Sequence, residues 1–213
     1  AYSCANWYIC KITEWNIQFA ANDNNSIENN SFRLTDLVDI GMLKELSEKF
    51  TEITGLTIGL FEYPNQNILF KTGWKKVCTD FHMADPEAAK HCLICNRKLC
   101  DHLDKPGQLI IEKCGNGMYD CATPIFIQDK LLACITTGQL MLEKPNIDFI
   151  IAQAKKFGFN EKEYIKAFDE VKVITEKELL TATSFLGQFA SYISESGYNS
   201  LEIKKKKSGL NTK

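Results

Sequence analysis

The chain has 213 residues, 45% hydrophobic and 24% charged, a composition typical of a folded globular protein that argues against disorder along its whole length. Its formal charge is −2, and the five lysines and one glutamate of Leu201–Lys213 leave the rest of the chain acidic, which argues against a nucleic-acid-binding domain. No run approaches 18 apolar residues, and no signal peptide pattern opens the chain, so we expect neither a membrane span nor export.

Cysteine is the unusual residue, at nine copies. An odd number cannot pair completely within one chain, and without an export signal a reducing compartment is expected. The sequence therefore predicts a cytoplasmic protein with free thiols. Seven of the nine cysteines and all three histidines fall between Cys78 and Cys134.

The first elements follow a polar linker. We interpret residues 1–30 as an N-terminal extension or linker, because a run of asparagine, aspartate and serine ends it near position 26. Apolar residues at steps of three and four then predict a helix over Asp39–Thr54, with Gly55 as its C-terminal stop. A hairpin is expected next, with strands at Leu56–Phe61 and Ile68–Phe70.

The middle of the chain combines a cysteine-bearing helix with three strands. Asp85-Pro86-Glu87 is a strong helix start, with a capping acid followed by proline at the first helical position. That helix carries Cys92 and Cys95. Strand-like runs follow at residues 108–114, 119–128 and 131–141.

The last third is predicted to be helical. A helix over residues 147–157 ends at Gly158, and the capping box at residues 175–178 opens a longer one. The apolar stripe of this longer helix comprises Leu179, Ala182, Leu186, Phe189 and Ile193. We expect the stripe to dock on a sheet, which we favour over a homodimer seam through residues 179–193. We expect residues 197–213 to form a basic tail or linker. Hairpin-linked strands with helices to one side predict an α+β fold around an antiparallel sheet.

The cysteine cluster permits three interpretations. Cys92 and Cys95 form a Cys-x-x-Cys pair that, with Cys78 and Cys114, could supply four thiolates to zinc or to an iron–sulfur cluster. The same residues could instead be small buried hydrophobes or a thiol redox pair. His82, His91 and His102 are further candidate metal ligands. Cys114 with His82 or His102 could act as nucleophile and base, but no local signature supports an enzyme.

Several landmarks between about Leu34 and Phe189 resemble the PocR sensory domain family in their order. They are the helix Leu43–Gly55, Cys78, the helix-borne Cys92, the segment Cys114–Asp120, Pro124-Ile125 and Thr137-Gly138-Gln139-Leu140. The family usually has Cys-His-Ala-Gly-Leu where this chain has Cys114-Gly115-Asn116-Gly117-Met118. The resemblance assigns residues 31–196 to a PocR-like sensory domain.

The resemblance implies a PAS-like antiparallel sheet flanked by helices, with a long C-terminal helix. It implies a sensor of simple hydrocarbon derivatives such as short alcohols and diols. The output module of such a sensor, which acts in transcription regulation or is a kinase, lies outside the sensory domain. A pocket for such a ligand needs apolar walls and a few placed polar groups. The candidates beside the strand-like runs are Cys114, Tyr119, Asp120, Thr137 and Gln139. Gly138 is expected to allow a bulge or a close approach of backbone.

Overall fold

The computed structural model of the protein describes residues 32–210, so the predicted extension over residues 1–30 lies outside the described residues. After a short 3₁₀ turn, the helices are α1 (Ile40–Thr54), α2 (Pro86–Asp101), α3 (Ile147–Phe157), α4 (Glu161–Asp169) and α5 (Glu176–Leu210), and a π-helical segment covers Val77–His82. The strands are β1 (Ile58–Glu62), β2 (Ile68–Thr72), β3 (Ile110–Lys113), β4 (Tyr119–Ile127), β5 (Lys130–Met141) and β6 (Lys172–Val173). None of the helices in this range combines the length and hydrophobicity needed to cross a membrane.

The strands form one sheet in the order β2-β1-β5-β4-β3, and every pair on that path is antiparallel. The short β6 pairs in parallel with the end of β5. Helices flank this sheet and a long helix ends the described chain, so the predicted α+β class is confirmed. Strand β6 was not predicted, because its two residues are too few to give an alternating pattern.

The predicted helix starts are present in the structure. Asp85 caps α2 by accepting hydrogen bonds from the backbone N–H groups of Glu87 and Ala88, at 3.0 and 2.8 Å. Thr175 and Glu178 form the reciprocal capping box at the start of α5, with backbone-to-side-chain distances of 2.7 and 3.2 Å. These contacts are local in sequence, which is why the pattern predicted them.

The two faces of the sheet carry different helices. On one face, α1 and α5 pack over β2, β4 and β5 around a cluster that includes Leu56, Cys121 and Leu140. On the other face, α2 packs over β3 and β4 around a cluster that includes Leu99, Ala122 and Cys134. The side chains of β4 and β5 are therefore divided between the α5 face and the α2 face.

The apolar stripe of α5 docks on the sheet of its own chain, as favoured from the sequence. Leu179, Ala182, Leu186 and Ile193 are buried and Phe189 is half-buried, so most of this stripe is covered within the chain. The helix also continues past Ser196, where we expected a tail, and runs to Leu210. Buried Leu201 and the bond from Lys204 Nζ to the Asp36 carbonyl oxygen hold the added turns against the domain.

Candidate functional site

A small chamber lies between α2, the π-helical segment and the sheet face opposite α5. The volume open to the centre of a water-sized sphere is about 60 Å³. Its apolar and aromatic wall includes Phe61, Trp74, Leu99 and Met118. The polar and sulfur-bearing side chains that line it include Thr57, Cys78, His82, Met83, Cys92, Cys95, Asn96, Cys114, Asn116, Asp120, Thr136 and Gln139.

A β-bulge shapes the floor of the chamber. Tyr119 pairs with Leu140 and Asp120 pairs with Gly138, which leaves Gln139 as an extra residue on β5. Gln139 has a left-handed backbone, with φ of 52°, a strained conformation for a residue that is not glycine. Its N–H donates to Asp120 Oδ1 at 3.1 Å, and its Oε1 accepts from the Lys75 N–H at 2.6 Å. The bulge thus fixes both polar side chains.

Gly138 allows the close approach that the sequence led us to expect. A Cβ atom at this position would lie 2.1 Å from Asp120 Oδ1 and 2.9 Å from Asp120 Cα. Any larger residue would therefore displace the Asp120 side chain or separate the two strands. The absence of a side chain at Gly138 is what lets the carboxylate occupy the chamber floor.

The structure brings together three of the five candidate ligand residues. Cys114, Asp120 and Gln139 all line the chamber. Thr137 is buried and does not line the chamber, and its Oγ1 donates to the Thr57 carbonyl oxygen at 2.8 Å. Tyr119 lines a neighbouring cavity instead, with Lys113 Nζ 5.5 Å from the centre of its ring.

The four thiols proposed as metal ligands line the same chamber, but their arrangement does not fit a metal. Among the residues that the structure describes, no three histidine, cysteine or acidic side chains are placed to hold one ion. Burial raises the pKa of Cys92 to about 11 and that of Cys114 to about 12, and it raises those of Cys78 and Cys95 further. Without a metal these thiols are neutral, and it is the placement of the side chains among the described residues that does not support the proposed zinc or iron–sulfur site.

The same pKa shifts bear on the nucleophile–base pair considered from the sequence. An activated cysteine needs a lowered thiol pKa, whereas burial raises that of Cys114. Burial also lowers the pKa of His82 to about 4, which makes it a weak base. His102 is exposed and bonds through Nδ1 to the Lys98 carbonyl oxygen.

A chain of buried hydrogen bonds begins in the chamber wall. His82 Nε2 lies 2.6 Å from the Tyr164 hydroxyl, which donates to Gln153 Oε1 at 3.0 Å. Gln153 Nε2 donates to Asn116 Oδ1 at 3.2 Å, and Asn116 Nδ2 donates to Cys92 Sγ at 3.6 Å. This polar relay joins the π-helical segment, α4, α3, the β3–β4 loop and α2 around one site.

Sequence reasoning missed most of this relay. His82 was considered only as a metal ligand or base, and neither Tyr164 nor Gln153 was singled out. Tyr164 and Gln153 lie on α4 and α3, 82 and 37 residues from their relay partners His82 and Asn116. No local spacing links such residues, because only the docking of α3 and α4 brings them to the chamber.

Removing the Asp120 charge is expected to stabilise the fold in a pH-dependent way. Burial raises the pKa of Asp120 to about 6 from an ordinary 3.8, so the contribution of this residue to stability is lost as the pH rises through that window. Asp120→Asn should therefore be more stable than wild type at pH 7, and the difference should vanish towards pH 4. Urea unfolding at a series of pH values measures this difference in the free energy of unfolding. Exposed Asp104→Asn is the control, and a pH-independent difference for Asp120→Asn would contradict the assignment.

The family of the chain follows from a comparison with protein-family models. The model described as the sensory domain found in PocR matches residues 36–198, more than half of the chain. The chain therefore belongs to the PocR sensory domain family, as its ordered motifs indicated. The curated proteins contain no match. The matched segment includes every residue named in the chamber wall and in the relay.

Proposed function

We propose that this domain is a cytoplasmic sensor that binds a short alcohol, a diol or a similar simple hydrocarbon derivative in the chamber. The observation that carries the proposal is a cavity with an apolar wall and a few fixed polar groups, in a chain whose family is sensory. The bulge at Gln139 and the relay hold those polar groups in place.

The size of the chamber limits the ligand. The centre of a water-sized sphere has about 60 Å³ open to it, which is room for only a few waters. A guest of about that many non-hydrogen atoms fits, which is the size of a three- or four-carbon alcohol or diol. Sugars and nucleotides are too large for the chamber in this conformation.

The sheet offers a route from the chamber to α5. Asp120 faces the chamber, whereas the next residue, Cys121, packs in the cluster beneath α5 with Leu179 and Ala182. A ligand that binds better to one of two arrangements of β4 and β5 shifts the population between them and changes the docking of α5. We propose that α5 passes this change to an output module outside this chain.

Calorimetry with a panel of short alcohols, diols and aldehydes tests the proposal. The folded protein, purified without added ligand, should bind at least one member with one site per chain and gain thermal stability. Elemental analysis of the same preparation should show less than one metal ion per chain. A stoichiometric metal, or no binding by any member of the panel, would contradict the proposal.

A further inference from the structure

The relay leaves one buried polar atom in the chamber wall without a partner. His82 is completely buried, and its Nδ1 atom makes no hydrogen bond. A buried polar atom in this state costs stability, so its persistence calls for an explanation. His82 is among the residues that line the chamber, but less than 1 Å² of its Nδ1 atom is open to water in this conformation, so a ligand reaches that atom only when the wall shifts.

The relay also fixes the proton on the His82 ring. Gln153 Oε1 can only accept, so the single hydroxyl proton of Tyr164 is used in that bond. The Tyr164 oxygen must then accept from His82, which places the ring proton on Nε2. Since burial also lowers the pKa of His82 to about 4, the ring is neutral at pH 7. Its Nδ1 atom is therefore a bare acceptor.

We propose that His82 Nδ1 is the specificity-determining acceptor of this site, and that it selects ligands carrying a hydroxyl that donates to it. The inference rests on the proposed function and narrows its ligand class. Aldehydes, ketones and ethers of the same size offer only acceptor oxygens, so they would leave Nδ1 unpartnered and would bind more weakly. Tyr164 acts as a positioning residue, because it sets which ring nitrogen carries the proton.

The tautomer can be tested without a ligand. Long-range ¹⁵N–¹H spectra of the labelled protein distinguish a protonated Nε2 from a protonated Nδ1, and His91→Gln and His102→Gln variants assign the three rings. We expect His82 to carry its proton on Nε2 in the wild type. Tyr164→Phe removes the acceptor that holds this proton and should give a mixture of the two tautomers. A wild-type ring protonated on Nδ1 would overturn the inference.

Matched ligands test the selectivity. Propan-1-ol, propanal, methoxyethane and propylamine have the same number of non-hydrogen atoms and differ in the group they present. The wild type should bind the alcohol about tenfold or more tightly than the aldehyde and the ether. His82→Phe should remove this preference while the affinity for the ether stays within a few fold, and Tyr164→Phe should reduce the preference.

The outcomes separate this inference from the proposed function. If no compound of the panel binds the wild type, the proposed function fails. If compounds bind but the aldehyde or ether equals the alcohol, or His82→Phe keeps the preference, the function stands and the role of His82 is wrong. Tighter binding of propylamine that persists in His82→Phe would show that the Asp120 carboxylate, not His82, selects the ligand. Circular dichroism and thermal melting show whether each variant is folded. If a variant does not fold, the tautomer of His82 in the wild type still tests the inference.

Discussion

Cys92→Trp is expected to abolish ligand binding while leaving the domain folded. Cys92 lies on α2 in the chamber wall and is half-buried, so an indole ring can enter the chamber without being forced into the packed core. The indole ring is much larger than the thiol it replaces, so it would occupy the space that a short alcohol or diol needs. We expect the affinity for any short alcohol or diol to fall by about 100-fold or beyond detection, measured by calorimetry.

The matched control is the adjacent residue on the outer side of the same helix. Leu93 is 59% exposed and does not line the chamber, so Leu93→Trp should bind the ligand as the wild type does. Both variants should melt within a few degrees of the wild type. If Cys92→Trp bound normally, the ligand would have to occupy another site, and the cavity around Tyr119 would be the next to test.

Leu186→Ala is expected to cause a large loss of stability. Leu186 is 1% exposed, in the middle of the apolar stripe that packs on the sheet. Truncating a buried leucine removes its transfer free energy and leaves a cavity, a loss of about 2–5 kcal/mol in the free energy of unfolding. Urea unfolding monitored by circular dichroism measures the change.

Leu180→Ala provides the comparison for that loss. Leu180 is on the same helix but 60% exposed, so its truncation should alter the free energy of unfolding by no more than about 0.5 kcal/mol. Equal effects of the two variants would show that α5 is not docked on the sheet through this stripe. The route proposed from the chamber to α5 would then lose its structural basis.

The sequence predicted those parts of the fold that depend on neighbouring residues. The caps at Asp85 and Thr175 were predicted because a capping side chain acts within one helical turn of its own position. The end of α5 was not predicted, because the helix continues through a lysine run whose pattern resembles that of a solvated tail. The burial of Leu201 and the contact of Lys204 with the 3₁₀ turn depend on tertiary packing.

The site shows why strand alternation alone is not enough. Residues 137 and 139 should share one face of a regular strand, since side chains alternate with a period of two. The bulge at Gln139 interrupts that period, so Thr136, Gly138 and Gln139 line the chamber and Thr137 does not. Gly138 was a visible signal of an irregularity, but neither its register nor its effect on Thr137 could be deduced from one sequence.

The most direct test of the account is a crystal structure of the domain with the tightest-binding alcohol or diol. We predict one molecule in the chamber between α2 and the sheet, with a hydroxyl oxygen at hydrogen-bond distance from His82 Nδ1. A complex in which that molecule lies outside the chamber, or in which thiols of the wall coordinate a metal ion in its place, would contradict the account.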